Sequence, residues 1–359
     1  MLARLVKVLI VDDSQLVRDI LANILSQDPM IQIVGSAADP LEAVKQIQLL
    51  KPDVITLDIE MPVMDGLTFL KKLMTTFPIP VVIISTLAKQ GSDIAMRALE
   101  LGAVDFIEKP TVRTGSNLES IHSIIMRKVR TAADVNIAEL RRNLRNAEMK
   151  PQTQVTTQVQ VFNQTTSQQV VVIGASTGGT IAVKKVVAQF PGQMPPVLVV
   201  MHMPGAFTGP YANELSNHSQ LKCKVAEDRE VMKDGFCYVA PGDYHTSIEK
   251  NRNGEYMIRI EQGDPINHHR PSIDYAFNAV AMAAGNKGIG VILTGMGEDG
   301  AAGLRNMFER GAFTVAQDKA SSMVFGMPGR AIEIGAASQV YHIDQIGRAI
   351  VQRAFSSQR

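Results

Sequence analysis

The sequence predicts an α/β protein made of two parallel-sheet domains joined by a polar connector. Three observations carry that expectation. Short apolar runs alternate with helix-period stretches over 7–110 and again from residue 170 onward. Charge is sorted by segment: 10 basic and 14 acidic side chains over 1–110, 8 and 4 over 111–169, and 18 and 17 beyond. Between the two patterned regions, 151–169 holds seven Gln, five Thr and no charged residue. A stretch of that composition cannot bury enough apolar surface to fold alone and reads as a disordered linker, with alternating valines as a weak edge strand the other reading.

Length and composition bound the function. At about 150 residues per domain, 359 residues suit two domains. Hydrophobic residues at 45% and charged residues at 20% exclude a disordered chain. No apolar run approaches the roughly 20 residues of a membrane-spanning helix, so no direct membrane insertion is expected. The net charge of +1 gives no bulk attraction to nucleic acid. The second half is also too long and too α/β-patterned for a small helix-turn-helix output. Cys223 and Cys237 show no zinc-ligand spacing. Two cysteines and no secretory pattern point to the reducing cytosol, since LVKVLIV near the start is too short for a signal core and reads as a first strand.

In the first region the strands are VKVLIV (6–11), IQIVG (31–35), DVITLD (53–58), PVVIIS (80–85) and DFIE (105–108). Helical patterns cover 15–26, 40–49, 65–75 and 92–101, with Gly102 as the cap of the fourth, and a fifth, long and basic helix is expected over 118–149. Open parallel sheets gather functional groups at the carboxyl ends of their strands. Asp12 and Asp13 end the first strand, Asp58 the third, Ser85 and Thr86 the fourth, and Lys109 the fifth. Three carboxylates so close repel unless a hard divalent cation lies among them, and oxygen ligands of this kind suit Mg²⁺. A carboxylate there can accept a phosphoryl group covalently, with Lys109 neutralising one phosphoryl oxygen and the Ser85 hydroxyl bonding another. Any one of these aspartates could instead simply cap a helix.

VDDS (11–14), LDIEMPVMDGL (57–67), IIST (83–86) and EKP (108–110) together resemble the receiver domain of two-component response regulators. The resemblance implies a flavodoxin-like fold and phosphorylation on Asp58. It implies Mg²⁺ held by the Asp12, Asp13 and Asp58 cluster and the Glu60 backbone carbonyl. It further implies Ser85 as switch hydroxyl, Phe106 as switch aromatic, and a cis bond between Lys109 and Pro110.

In the second region strands are expected at 170–176, 197–203, 237–242, 288–297 and 312–318, with a hairpin around 250–261 turning at Asn253-Gly254. Helices fit 179–189, 209–217, 272–284 and 300–310. GASTGG (174–179) follows a strand and opens a helix, which presents the Ser176 hydroxyl at the top of the sheet. The pattern also fits a plain tight turn or an anion-binding loop. A serine nucleophile needs a base, and His202 in VVMHMPG (199–205) stands at the next strand end. Asp299 in LTGMGEDGAAG (293–303) stands at a third glycine-rich turn and could orient the imidazole. The Met296 N–H is a candidate oxyanion donor. His342 as base with Asp318 as acid is the second choice, because no glycine turn adjoins His342. His122, His218, His245, His268 and His269 fit a catalytic position less well.

IGASTGGT (173–180), MHMP (201–204), YVAPGDYH (238–245), RPSID (270–274) and VFGMPGRAI (324–332) resemble the CheB family of chemotaxis protein-glutamate methylesterases. Glu298 stands where relatives commonly have Asn. The resemblance implies a receiver domain over 1–125, a helical and Gln/Thr-rich linker over 126–169, and a Rossmann-like doubly wound esterase domain over 170–359. It implies a catalytic set of Ser176, His202, Asp299 and the Met296 N–H, needing no cofactor for ester hydrolysis. Its substrates would be glutamate γ-methyl esters of methyl-accepting chemoreceptors, with glutamine deamidation alongside. A CheA-type histidine kinase would be the phosphodonor, relieving restriction of the esterase by the receiver. The competing expectation is a response regulator whose second domain is a non-catalytic binding module.

Overall fold

A computed structural model describes residues 5–61, 64–85, 89–109, 118–148 and 168–356. The chain divides into two compact units, Met1–Lys150 and Pro151–Arg359.

The first unit runs β1 (Val6–Val11), α1 (Gln15–Leu25), β2 (Ile31–Ala37), α2 (Pro40–Leu50), β3 (Val54–Asp58), α3 (Gly66–Thr76), β4 (Val81–Ser85), α4 (Lys89–Glu100), β5 (Asp105–Glu108), α5 (Leu118–Ala133) and α6 (Ile137–Glu148). Its sheet has the order β2-β1-β3-β4-β5, and every pairing is parallel. This is the expected flavodoxin-like order. Every residue of β3 is buried, because helices cover both faces of such a sheet. The turns obey simple capping chemistry: Asp39 accepts from the first N–H groups of α2 beside Pro40, and Asp65 does the same for α3. Gly102 follows α4 with φ +105°, a left-handed turn that only glycine makes without strain.

The single helix expected over 118–149 is two. The break comes at Asn136, whose Oδ1 accepts from the N–H groups of Ala138 (3.1 Å) and Glu139 (3.2 Å) and so starts α6 afresh. Ile125, Val129, Ala132 and Leu140 are buried. Residues 126–148, read from the sequence as linker, thus pack within the first unit. The Gln/Thr-rich stretch lies outside the described residues except for Gln168 and Gln169.

The second unit runs β6 (Val170–Ala175), α7 (Gly179–Val187), β7 (Val197–Met201), α8 (Gly205–Asn217), β8 (Lys222–Val225), β9 (Phe236–Val239), β10 (His245–Lys250), β11 (Tyr256–Glu261), α9 (Ile273–Ala284), β12 (Gly288–Ile292), α10 (Ala301–Glu309), β13 (Phe313–Gln317), α11 (Met327–Glu333), β14 (Gln339–Tyr341) and α12 (Ile343–Ser356). Seven strands form a parallel sheet in the order β14-β13-β12-β6-β7-β9-β8. β10 and β11 make the expected antiparallel hairpin. From β6 the chain winds to β7 on one side, and β12 returns to lie on the other. That reversal opens a crevice at the carboxyl ends of β6, β7 and β12, where ligands bind in doubly wound sheets. No helix among the described residues is long and apolar enough to cross a membrane.

Candidate active site and acidic cluster

The first unit brings Asp12, Asp58 and Lys109 together. Asp12 and Asp58 are each only 1% exposed. Lys109 Nζ donates to Asp58 Oδ2 at 2.7 Å and lies 3.3 Å from Asp12 Oδ2. Asp58 Oδ1 accepts from the Glu60 N–H, and Asp12 Oδ1 from the Ser14 N–H. Burial pushes both carboxyls above the ordinary carboxylate range, against the pull of Lys109. Burial acts against the Lys109 charge too, but Asp58 and Asp12 outweigh it and raise that amine.

Asp13 is exposed and completes the cluster: one oxygen from each of Asp12, Asp13 and Asp58 lies within 4.8 Å of the others. Asp12 Oδ2 is buried and, apart from the 3.3 Å ion pair with Lys109, takes no hydrogen bond. Two buried carboxylates and a third at the rim, offset by one lysine, leave negative charge that a hard cation would balance. The donor set therefore fits Mg²⁺. Asp65, in the same sequence motif, has the bland role and caps α3 through Thr68. Gly66 is required there, since a Cβ would lie 2.4 Å from the Asp58 carbonyl oxygen. Phe106 is buried, with Lys128 Nζ 4.9 Å from its ring centroid. The Ser85 backbone closes β4; its hydroxyl, Thr86 and the Lys109–Pro110 bond lie outside the described residues.

The second unit joins its three candidates at the crevice. Ser176 follows β6, His202 follows β7 and Asp299 precedes α10. The Ser176 Oγ is 3.1 Å from His202 Nδ1, and His202 Nε2 is 2.8 Å from Asp299 Oδ2. The backbone fixes the serine, whose N–H donates to the Thr294 carbonyl at 3.0 Å. Gly295 allows the close approach of the two turns: a Cβ on it would lie 2.8 Å from Ser176 Cβ. Met296 is the next residue on that turn. Gly178, with φ +76°, starts α7 immediately beyond the serine.

Asp299 is anchored at the start of α9. Its Oδ1 accepts from Ser272 Oγ (2.8 Å), Asn267 Nδ2 (3.0 Å) and the Asp274 N–H (3.3 Å), and its Oδ2 from the Ile273 N–H (2.7 Å). The His269 ring lies parallel to the His202 ring, with centroids 3.5 Å apart. Sequence reasoning missed Asn267, gave Ser272 no role of its own and ranked His269 below His202. The strand-end rule points to them nowhere, because they lie on the connection into α9.

A model of the CheB methylesterase family matches residues 171–350, and one of the response regulator receiver domain matches 8–118. The protein-glutamate methylesterase/protein-glutamine glutaminase of Thiobacillus denitrificans is 44% identical over 348 residues, 97% of this chain and 96% of that protein. That of Hydrogenovibrio crunogenus is 41% identical over 369 residues, 96% and 98% of the two chains. The chain belongs to the CheB methylesterase family. The crystal structure of the Thermotoga maritima CheB methylesterase catalytic domain agrees in fold, with a TM-score of 0.50 and 39% identity over 52% of this chain and 98% of that one. The chain is therefore an enzyme, an ester hydrolase with a receiver domain, and a non-catalytic output module is not favoured.

The other residues considered from the sequence have plain structural duties. His342 lies 3.4 Å from Asp344, and Asp318 holds Ser321, so the second-choice base and acid are each engaged elsewhere. Glu298 is exposed and pairs with Arg330 at 3.4 Å. His245 takes the Ser272 N–H on Nδ1 and faces the Asp264 carbonyl through Nε2.

Burial disfavours the Asp299 carboxylate, but bonds from His202, Asn267 and the Ile273 N–H outweigh it and hold the carboxyl well below the usual range. A carboxyl depressed in the folded state adds stability above its unfolded value of about 3.9, lost as pH falls toward the folded one. Urea unfolding should therefore show wild type more stable than Asp299→Asn at pH 5–7, and the gap should narrow below about pH 3.9. A gap independent of pH would refute this assignment.

Proposed function

We propose that this chain hydrolyses glutamate γ-methyl esters on methyl-accepting chemoreceptors, and deamidates glutamines there, under control of phosphorylation at Asp58. The observation that carries the esterase reading is the continuous Ser176–His202–Asp299 chain of contacts at the topological crevice.

In the resting site Ser176 O–H donates to His202 Nδ1, and His202 Nε2–H donates to Asp299 Oδ2. Ser176 Oγ attacks the ester carbonyl while Nδ1 takes its proton, and Asp299 stabilises the resulting imidazolium. The tetrahedral oxyanion is received by backbone N–H groups, Met296 among them. Collapse breaks the bond to the methoxy oxygen, which takes the proton from Nδ1 and leaves as methanol. Water then attacks the acyl-serine, with Nδ1 accepting its proton and returning it to Ser176 Oγ. A glutamine side chain follows the same course and releases ammonia. The scheme uses only side-chain and backbone groups.

At the acidic cluster, an Asp58 oxygen attacks the phosphorus of a phosphohistidine on a donor, a CheA-type histidine kinase in this reading; the P–N bond breaks, the imidazole nitrogen leaves with its electron pair, and an aspartyl phosphate is formed. Asp12, Asp13, Asp58 and the Glu60 carbonyl are the groups that would hold Mg²⁺, which when bound neutralises phosphoryl oxygens. Lys109 supplies a fixed positive charge beside Asp58, and Ser85 with Phe106 would relay the change.

The test is methanol release from a methylated receptor cytoplasmic fragment by the full-length chain, with ammonia release measured from the glutamine form. Methanol at a rate that scales with enzyme supports the reading. A folded enzyme that releases none from a competent substrate overturns it.

A further inference from the structure

The connection between β11 and α9 carries an unusual turn. Ile266 and His269 exchange two backbone hydrogen bonds, of 3.1 and 2.9 Å, around Asn267 and His268. Both central residues have positive φ, +52° and +64°. Such turns normally close strand hairpins and favour Asn-Gly, since a side chain at positive φ crowds the backbone. Here the turn lies outside any named strand, and a histidine occupies the second position. Backbone held in this region without a sheet to require it calls for a local reason.

The reason is what the turn presents. Asn267 is itself exposed, but its amide reaches two buried carboxylates: Nδ2 donates to Asp274 Oδ2 at 2.9 Å and to Asp299 Oδ1 at 3.0 Å. One amide nitrogen has two N–H groups, and here each carboxylate takes one. Asp274 and Asp299 are 8% and 2% exposed, and each charge disfavours the other. Asp274 is further held by the Gly303 N–H at 2.6 Å. The neutral donor between them lets both stay in place, and leaves Asp299 Oδ2 to face His202.

We propose that Asn267 is a positioning residue of the esterase: its amide, mounted on the left-handed turn, sets the Asp299 carboxylate that orients His202. This rests on the serine-esterase reading above. Ser272 Oγ and the Asp274 N–H share Oδ1, so losing Asn267 weakens the anchor without dissolving it.

Among the described residues, the groups that face the base are Asp299 from the turn after β12, His269 from the connection, and Ser176 from the turn after β6. Behind Asp299 stands Asp274 on α9. Withdrawing a donor from Asp299 concentrates its negative charge toward His202. The proton on the imidazole is then held to higher pH, and the acid limb of the rate profile moves up.

Methanol release by the full-length chain should be followed against substrate concentration and pH for wild type, Asn267→Gly, Asn267→Asp and Ser176→Ala. Glycine accommodates the positive φ and removes the side chain with its amide. The glycine variant should lose about tenfold in kcat with KM within about twofold, and its acid limb should move to higher pH. Asn267→Asp keeps the shape but adds a third carboxylate, so both effects should be larger. If wild type is inactive, or Ser176→Ala is as active as wild type, the esterase reading itself fails. With those controls in order, a wild-type kcat and acid limb in the glycine variant overturn the proposal. A loss confined to KM, or a loss with an unmoved limb, also overturns it. If the glycine variant does not fold, Asn267→Asp decides on the same criteria, and failure of both to fold assigns Asn267 to stability alone and overturns the role.

Discussion

Ser176→Ala should lower kcat for methanol release by about four to six orders of magnitude, with KM near wild type. The substitution removes one oxygen and little else. The bonds that shape the turn are made by backbone atoms, the Ser176 N–H to Thr294 and the Ser176 carbonyl from Gly179, and both survive in alanine. The loss is therefore chemical, and thermal unfolding should be little changed. His202→Ala should cost a similar factor, and the double variant no more than either single one, because nucleophile and base act as one unit. Costs that multiplied in the double variant would show that Ser176 and His202 act independently. A Ser176→Ala enzyme retaining a tenth of the wild-type rate would remove the serine from the chemistry.

The orientation of the base adds a second handle. The serine faces Nδ1 and the carboxylate faces Nε2, and Asp299 takes four further hydrogen bonds besides that of His202. A carboxylate can accept this many; an amide offers one acceptor oxygen. Asp299→Asn would therefore leave buried donors unpaired, at about 1–3 kcal/mol each, and also favour the wrong tautomer of His202. Stability and kcat should fall together in this variant, in contrast to Ser176→Ala.

The order and type of most core elements were legible because buried parallel strands are short apolar runs and their covering helices keep a 3.6-residue period. Ser176, His202 and Asp299 were legible for the same reason, since each stands where a buried run meets a polar or glycine turn. What escaped has equally physical causes. β8 and β14 are sheet edges with exposed or half-buried residues, and Lys222 and Lys224 gave β8 no apolar run to detect. The helix over 118–149 kept its periodicity through Asn136, and only the capping bonds of that residue reveal a new start. The helix expected from 209 starts at Gly205 and carries Pro210 inside it. Asn267 and His269 are placed by a turn whose positive φ angles, at Asn267 and His268, no sequence pattern announced. Their partners are 32 and 67 positions away in the chain, a distance that only the fold closes.

Asp58→Asn should abolish stimulation of the esterase by a small-molecule phosphodonor with Mg²⁺, whatever basal rate the variant keeps. The asparagine fills the same volume but has no anionic oxygen to attack phosphorus. The other carboxylates do not replace it: Asp12 is as buried but lies 3.3 Å from Lys109, and Asp13 stands at the exposed rim. Asp58 alone combines full burial, a 2.7 Å contact to Lys109 and an Oδ1 fixed by the Glu60 N–H. Loss of its charge also leaves Lys109 with Asp12 at 3.3 Å as its remaining carboxylate in the cluster. In wild type, a tenfold rise in methanol release on phosphorylation needs only about 1.4 kcal/mol of preference for the active state, within reach of one phosphoryl group redirecting Lys109. Radiolabelled phosphate incorporation should be lost with the stimulation. Stimulation persisting in Asp58→Asn, with no label bound, would separate the acidic cluster from control of the esterase. Label without stimulation in wild type would leave Asp58 as an acceptor that does not govern Ser176.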